Sequence, residues 1–440
     1  MIAESNSVSL SEWQTLSPTD KGGLSGRFLD TSKSTRIVVK QLNESKLLSL
    51  VELRQGLEVR AFSHVGRVKV GNLTITVTPK IKGSSLLNLV RYAYGFRRLN
   101  LISNAHHSID EFGFADLLIS QLNVEVGELL SRGLLREYVS TKERLSSPRG
   151  RIDIARIAKD GGVLTATLPC QHYPRIENTL LNQVLMAGLE LGGSMTSDLE
   201  LRREARRLIV QMEEQVSVVR LDRAVLNLAE QKMNRLTEVY SSALLIIRLL
   251  VESQGVALAG QTITTTLPGF LFDMNAFFQA LVSRFLGDNI LGFSVRDEQG
   301  LKGMMRYNAK LNPQRRQSPT PRPDFVVCNQ RTGAICAILD AKYRDLWERP
   351  LPREMLYQLV VYAISQPHCA VSSIIFPTMN QFASEARIDV SDPVCGKPLG
   401  QVCLRPLLLS KLESLIFDNS TQGRKNRIEY ASQLAFGKYV

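Results

Sequence analysis

The chain has 440 residues, enough for two or three domains, and 44% of them are hydrophobic while 22% are charged. This is the composition of an ordinary folded soluble protein. The net charge of +12 favours a polyanionic partner such as DNA, although solubility alone also explains it. No apolar run reaches membrane-spanning length, and residues 1–20 lack the apolar segment of a signal peptide. We therefore expect a cytoplasmic protein that does not enter a membrane.

The first part of the chain is predicted to be rich in β-structure. Residues 36–39 predict a short strand. Residues 65–70 and 73–77 alternate in polarity on both sides of a Gly-Asn pair, which predicts a hairpin. A helix is expected over residues 86–94. A polar stretch with Pro148 and Gly150 then marks the end of a predicted N-terminal domain, residues 1–145.

The middle of the chain, residues 146–258, is predicted to be a helical segment. Helical periodicity runs through residues 178–191, 197–216 and 226–253, and an earlier helix is expected over residues 112–133. The second of these stretches carries two arginine pairs, at 202–203 and 206–207.

The last part, residues 259–440, is predicted to be an α/β unit. Apolar residues in steps of three and four from Met274 to Leu286 predict a helix whose buried face is core packing. A hairpin over residues 324–343, a helix around Gln358 and a strand over residues 372–376 follow, with a polar loop expected at 421–427. The expected fold class is therefore α/β, or α+β over the whole chain.

Three charged residues at the ends of the predicted hairpin strands indicate a metal-binding or catalytic site. Asp324 opens the first apolar strand, and Asp340 and Lys342 end the second in an Asp-x-Lys pattern. Two carboxylates at adjacent strand ends can hold a hard divalent cation, with an ammonium beside it. Such a cation can lower the pKa of a bound water and stabilise charge on a phosphodiester. A surface hairpin with ordinary charges is the competing interpretation.

The next helix and the preceding loop add further candidates. Gln358 and Tyr362 are four residues apart and share one helix face. They are expected to hold Lys342 or a phosphate, or to pack the helix on the sheet, and the packing and orienting role is favoured over direct catalysis. The pair Arg315 and Arg316 lies in a polar loop just before Asp324, a position that suits a phosphate contact.

The cysteines and histidines do not predict a disulfide framework or a zinc site. The cysteines form no CxxC pair and are interpreted as buried thiols in a reducing compartment. No histidine spacing matches a zinc site, and a surface or loop position is expected for the adjacent pair. The residues concerned are Cys170, Cys328, Cys336, Cys369, Cys395, Cys403, His106 and His107.

Together these motifs resemble the McrC family, the nuclease subunits of McrBC modification-dependent restriction systems. The Pro323-Asp324 … Asp340-Ala341-Lys342 pattern and the Gln358-x-x-x-Tyr362 helix are similar to the PD-(D/E)xK nuclease core. The hairpin at 65–75 and the stretches at 148–153 and 177–182 are also similar to McrC-like chains. The resemblance spans roughly residues 10 to 380.

The resemblance implies a Mg²⁺-dependent DNA endonuclease, with Mn²⁺ as a substitute. Asp324, Asp340 and the carbonyl of Ala341 are the expected metal ligands, and Lys342 is expected to orient or activate the attacking water. The implied partners are a McrB-like AAA+ GTPase ring, docked on the N-terminal domain, and double-stranded, methylated DNA. Dimerisation through the nuclease domain is a further option. The chain lacks a GxxxxGK[ST] phosphate loop and so is not expected to be the motor.

One position departs from the family pattern. McrC-like sequences often carry a glutamate after a Met-Asn-x-x-Phe run, whereas here that run, which ends at Phe278, is followed by Gln279. A neutral amide binds a divalent cation more weakly than a carboxylate does, which puts a second metal site in doubt. Two other functions stay open: a nuclease of another defence or repair complex with a different motor, and a non-catalytic activator of a AAA+ partner on a decayed nuclease fold.

Overall fold

A computed structural model describes seven stretches of the chain. Cys369, His106 and His107 lie outside the described residues, so the expectations for them are not addressed. No helix in these stretches is long and apolar enough to cross a membrane. The described stretches are residues 7–81, 83–95, 114–161, 166–196, 198–254, 269–366 and 370–437.

Two compact units make up the fold, and helices and strands from several sheets are mixed along the chain, which confirms the α/β class. The first unit comprises residues 1–65, 70–97 and 271–440, and the second comprises residues 66–69 and 98–270. The predicted assignment of separate functions to residues 1–145, 146–258 and 259–440 stays a prediction.

The N-terminal part contains seven strands and two helices among the described residues. β1 and β7 pair in parallel, while β2, β3 and β4 each pair antiparallel with β5. The predicted hairpin is confirmed as β6 and β7, with Gly71 at φ +60 in the turn. The elements are β1 Ser7–Ser11, β2 Thr15–Leu16, β3 Leu24–Ser25, α1 Lys33–Glu44, β4 Leu48–Leu53, β5 Gly56–Ala61, β6 His64–Val70, β7 Leu73–Thr78 and α2 Gly83–Tyr94.

The second unit is mainly helical, with short strands between its first helices. Its buried Asn182 donates to the carbonyls of Leu135 and Glu177 and accepts from the Tyr240 hydroxyl, so one amide ties three segments together. The elements are α3 Phe114–Arg132, β8 Glu137–Tyr138, β9 Thr141–Leu145, β10 Arg151–Ile152, α4 Ile154–Lys159, β11 Leu168–His172, β12 Arg175–Ile176, α5 Leu180–Met195, α6 Leu199–Met212, α7 Arg223–Gln231 and α8 Ser241–Gln254.

The C-terminal part is built on a six-stranded mixed sheet in the order β14-β15-β16-β17-β19-β18. β16, β17 and β19 run parallel, and the other pairs are antiparallel. The elements are β13 Gly269–Asp273, α9 Met274–Asn289, β14 Phe293–Asp297, β15 Phe325–Asn329, β16 Ile335–Ala341, α10 Arg353–Ile364, β17 Val371–Thr378, β18 Ala386–Ser391, β19 Pro398–Leu408, α11 Leu409–Phe417 and α12 Thr421–Phe436.

Helices pack against this sheet through apolar faces that the sequence sets. α9 and α12 contact β16, while α10 contacts β17 and β19. The side chain of Asp273 caps α9 by accepting from the amides of Asn275 and Ala276. The predicted apolar stripe of this helix is confirmed, since Phe277, Phe278 and Phe285 are fully buried.

The predicted hairpin over residues 324–343 is confirmed as β15 and β16. Its turn is closed by backbone hydrogen bonds from Asn329 to Ala334 and from Gly333 to Asn329, each 2.9 Å long. Gly333 has φ +69, a conformation that favours glycine, and the Asn329 side chain accepts from two turn amides.

Residues at the start of the chain hold the end of β16 in place. Glu12, with 1% of its surface exposed, accepts from the Tyr343 hydroxyl at 2.9 Å and from the Lys80 amide at 2.8 Å. The carbonyl of the next residue, Trp13, accepts from Arg349 at 3.2 Å. Thus a residue just after β1 bonds directly to the residue that follows Lys342.

Several predicted elements are wrong, each for an identifiable reason. Residues 36–39 lie in α1 instead of a strand, because Ser32 caps the helix and Val38 and Leu42 are buried at helical spacing. Residues 421–427 begin α12 instead of forming a loop, because Ser420 caps that helix. The single helical pattern over 226–253 is divided into α7 and α8, with a 3-10 turn before α8.

The thiol prediction holds only in part. Cys170, Cys328 and Cys403 are buried free thiols, as expected. Cys336 is half-buried, and Cys395 is exposed in the turn before β19, so the expectation of burial is wrong for Cys395.

The buried carboxyl of Glu12 generates a prediction about stability and pH. Burial raises the pKa of Glu12, against the opposing effects of the Lys80 amide and the Tyr343 hydroxyl, and its Oε2 has no hydrogen-bond partner among the described residues. A raised folded-state pKa gives stability that is complete below the unfolded value of about 4.3 and is lost as pH rises through the folded value. We expect Glu12→Gln to unfold at a higher temperature than the wild type at pH 8 and to converge with it near pH 4.

Thermal melts over this pH range test the prediction. Glu44→Gln, at an exposed position of α1, is the matched control and should follow the wild type at every pH. A melting temperature for Glu12→Gln below the wild type at pH 8 would contradict the argument.

Candidate active site

The register of the β15–β16 hairpin places two aspartates opposite each other. Phe325 pairs with Leu339 in an antiparallel ladder, so the next position outward joins Asp324 to Asp340. Like charges directly across a strand pair are destabilising. The arrangement therefore needs a compensating cation.

Lys342 supplies that cation from the same face of the strand. Side chains alternate along a strand, so Asp340 and Lys342 project to one side, with Ile338 of the cluster that packs on α10. The Lys342 ammonium lies 2.8 Å from Asp340 Oδ2 and 3.1 Å from Asp324 Oδ2. The backbone amide of Ala341 also donates to Asp324 Oδ2, at 2.8 Å. The structure thus brings together Asp324, Asp340 and Lys342.

Asp340 is the most buried member of this cluster. Only 2% of its surface is exposed, and its Oδ1 is buried with no hydrogen-bond partner in the described part of the chain. Burial, together with the neighbouring Asp324 carboxylate, raises the pKa of Asp340 to about 6, although Lys342 opposes the shift. A buried oxygen without a partner is costly, which makes Oδ1 a natural position for a cation ligand.

Lys342 is held in its charged form by the same geometry. Burial alone lowers the pKa of this lysine, but the Asp340 and Asp324 carboxylates outweigh burial and the net shift is upward. A lysine in this state is an ammonium donor and not a proton acceptor. It can therefore orient a water or offset negative charge, whereas general-base chemistry does not suit it.

Gln358 and Tyr362 lie on α10, the helix that packs on β17 and β19. Gln358 Nε2 donates to the Tyr362 hydroxyl at 2.9 Å, which places both on one helix face as predicted. Tyr362 packs in the cluster with Val326 and Ile338, and burial raises its pKa, with a further contribution from the Asp340 and Asp324 carboxylates. Tyr362 is thus within electrostatic reach of the site, while Gln358 is joined to it through Tyr362.

The donor set fits one divalent cation but is small. In the described stretches, no group of three or more His, Cys, Asp or Glu residues could hold a metal ion. Asp324 and Asp340 give two carboxylates against one lysine, which leaves a local charge of −1 and an unpartnered oxygen. The predicted third ligand, the Ala341 carbonyl, lies between Asp340 in β16 and Lys342, the residue that follows this strand.

Gln279 does not join this cluster by a hydrogen bond in the described part of the chain. It is half-buried on α9, between residues that pack in the core. Its role in a second metal site stays open.

The structure adds two residues that the sequence did not single out. Tyr343 follows Lys342 on the opposite face of the strand, packs against Phe278 with ring centroids 6.0 Å apart, and bonds to Glu12. Tyr343 directly follows the Asp340-Ala341-Lys342 motif, so an alternation argument carried one residue further could have found its inward position. Glu12 lies 331 residues away and carries no sequence pattern that would have revealed the contact.

The chain is similar to known proteins in both sequence and structure. A family model described as the McrBC 5-methylcytosine restriction system component matches residues 59–377. No curated protein sequence matches the chain.

Two solved structures of Thermococcus gammatolerans assemblies are similar to this chain. One is a half-complex from a tetradecameric assembly of McrB AAA+ hexamers with bound McrC, at 18% identity and a TM-score of 0.61, covering 96% of this chain and 98% of that chain. The other is the McrBC complex, at 18% identity and a TM-score of 0.46, covering 64% and 88%. The first similarity shows a shared fold over nearly the whole chain.

The family match covers well over half of the 440 residues and includes both strands of the site. The chain therefore belongs to the family of McrBC 5-methylcytosine restriction system components.

Proposed function

We propose that this McrBC family member is the DNA-cleaving subunit of its restriction complex and hydrolyses phosphodiester bonds with Mg²⁺. The observation that carries the proposal is the cluster of Asp324, Asp340 and Lys342, held at one end of a hairpin by strand register and ion pairs. Two opposed carboxylates, one buried and one half-buried, are costly to the fold, and perturbed groups of this kind concentrate at functional sites.

The proposed ligands of the cation are Asp324, Asp340 and the Ala341 carbonyl, with Mn²⁺ as a substitute for Mg²⁺. The unpartnered Oδ1 of Asp340 and the net negative charge of the cluster support this choice, and oxygen donors suit hard divalent cations. When bound, such a cation would neutralise charge on a phosphodiester and ease ionisation of the attacking water.

Lys342 and the residues of α10 have separate proposed roles. The Lys342 ammonium donates hydrogen bonds, so it can orient the attacking water and offset charge on the phosphoryl oxygens. Tyr362 and Gln358 are proposed to position the site, because Tyr362 is buried in the same cluster as Val326 and Ile338 and Gln358 bonds to it.

The proposed partners are a McrB-like AAA+ GTPase ring and methylated duplex DNA. The structure that shares this fold contains McrB AAA+ hexamers with bound McrC. The chain itself has no GxxxxGK[ST] loop for a nucleotide, so hydrolysis of the nucleotide is assigned to the other subunit. Docking through residues 1–145 is proposed on the family resemblance.

A second function is favoured by one residue. Gln279 stands where related sequences often carry a glutamate, which would suit a chain that activates its AAA+ partner without cutting DNA. The Asp340 substitution below separates the two functions, because a non-catalytic activator would show no cleavage to lose.

Asp340→Asn is expected to lower DNA cleavage by more than about a hundredfold, since even the outer partners of metal ligands contribute ten- to a hundredfold. The substitution preserves side-chain volume, so the fold should persist. Cleavage by the chain with its AAA+ partner and Mg²⁺ is the measurement. Asp389→Asn on β18, where the exposed carboxylate accepts a hydrogen bond from Gln401, is the control and should cut normally. Equal cleavage by both variants would refute the site.

Lys342→Ala is expected to lose cleavage by about a hundredfold or more while keeping its affinity for Mn²⁺. The physical reason is that the ammonium competes with a cation for the same two carboxylates, so its removal should not weaken metal binding. Titration calorimetry with Mn²⁺ measures the affinity, and Lys397→Ala, at an exposed position, serves as the control. Loss of Mn²⁺ binding in Lys342→Ala would show that the division of roles is incorrect.

The full chain without its partner is expected to bind methylated and unmethylated duplexes with equal affinity and one salt dependence. The sequence carries no helix-turn-helix, zinc finger or base-flipping signature, so contacts should be mainly to phosphates. Fluorescence anisotropy over a salt series measures both quantities. A preference for methylated DNA by the chain alone would move the reading function to this subunit.

A further inference from the structure

A long loop without regular secondary structure projects from the base of the candidate site. The residues concerned, 302–320, contain only one 3-10 turn, at Ala309–Leu311. Its two ends are joined by a hydrogen bond from the Leu301 amide to the Pro321 carbonyl, 2.9 Å, and one from Glu298 to the carbonyl of Asp324, 3.0 Å. Loops of this length inside a compact unit are uncommon and are often functional.

The two ends of this loop are held by contacts with residues of the candidate site and of the core beside it. Leu301 is buried in the same hydrophobic cluster as Val326 and Tyr362. The Asp324 carbonyl, which closes the loop, belongs to a residue of the charged cluster. The loop is therefore anchored at the opening strand end of the site, and we call it the basic arm (residues 302–320).

All charged residues of the basic arm are cationic. It contains five cationic residues and no acidic residue, and all five are exposed. None of them forms an ion pair with another described residue. The five are Lys302, Arg306, Lys310, Arg315 and Arg316.

The arginine cluster on α6 differs from the basic arm because its arginines form ion pairs. On α6, Arg203 pairs with Glu200 at 2.6 Å, Arg206 with Glu213 at 3.5 Å, and Arg207 with Glu204 at 3.8 Å. Local acids thus offset the charge of α6, whereas the charge of the basic arm is left for an external anion. The ion pairs of α6, and the lack of acidic residues in the basic arm, distinguish these two basic clusters.

The tip of the arm is organised before any ligand binds. The Asn312 side chain accepts from the Arg316 amide and donates to the Arg316 carbonyl, each at 2.9 Å. Arg315 lies in the left-handed region at φ +50, which is a strained conformation for a residue with a side chain. The two adjacent arginines are therefore presented on a formed turn, which lowers the entropy lost when they bind.

We propose that the basic arm binds the phosphate backbone of the DNA duplex beside the cleavage site. The inference rests on the proposed function for the identity of the substrate, and it adds the element that holds that substrate. Arginine and lysine contacts to phosphates position a protein on DNA without reading sequence, which suits an arm next to a cleavage site. An acidic protein surface is the alternative occupant.

The test replaces three arm cations in the full chain, as Arg306→Gln/Arg315→Gln/Arg316→Gln, in an Asp340→Asn background that does not cut. Each lost phosphate contact should reduce the slope of log K against log salt by about 0.9, so the triple variant should lose roughly two to three units of slope. Affinity for a duplex at ~0.1 M salt should fall roughly ten- to a hundredfold. Fluorescence anisotropy with a labelled duplex gives both values.

The matched control carries the same change of charge elsewhere, as Arg203→Gln/Arg206→Gln/Arg207→Gln on α6. It should keep the parental slope, because its arginines are already paired. Equal loss of slope in the two triples would overturn the inference, since net charge alone would then explain binding. So would normal DNA binding by the arm variant with loss of binding to the AAA+ partner, which would assign the arm to a protein surface.

The two proposals fail in different ways. If Asp340→Asn still cuts DNA, the nuclease site is wrong, whatever the arm does. If Asp340→Asn is inactive but the arm variant binds DNA as its parent does, only the arm inference is wrong.

Discussion

The opposition of two aspartates across one strand pair is the constraint on which the site depends. Register alone forces Asp324 and Asp340 together, and each would repel the other without Lys342 between them. Burial, and then the neighbouring Asp324 carboxylate, raise the pKa of Asp340 against the opposing effect of the single ammonium, and Asp340 Oδ1 has no hydrogen-bond partner among the described residues. The site is therefore held in a state of residual negative charge that a divalent cation would relieve.

At the end of β16, strand alternation places the charged side chains and the supporting tyrosine on opposite faces of the sheet. Asp340 and Lys342 project toward the face of α10, whereas Tyr343 projects to the other face, beside Phe278 of α9. Tyr343 in turn bonds to Glu12, so residues from the start of the chain fix the strand end from behind. The hydrogen bond that holds the end of this strand thus lies on the side of the sheet opposite to Asp340 and Lys342.

The elements that short-range sequence patterns determine were predicted correctly. The hairpin, the stripe of α9 and the helix with Gln358 and Tyr362 follow from alternation, turn residues and helical spacing, and all three are present. The strand predicted for residues 36–39 is wrong because the β-branched residues there favour a strand, whereas the cap at Ser32 starts a helix. The Glu12–Tyr343 bond joins residues 331 positions apart, so no pattern could reveal it, whereas the Arg203–Glu200 and Arg207–Glu204 pairs follow a helical spacing of three that the sequence does show.

The distance along the chain between Glu12 and Tyr343 has a consequence for biosynthesis. The two residues are 331 positions apart, and at about 5–20 residues per second Tyr343 is made roughly 20–60 s after Glu12. During that interval the N-terminal strands lack the partner that they hold in the finished fold. The strand end beside Lys342 therefore gains its support from Glu12 only after Tyr343 has been made, when most of the chain already exists.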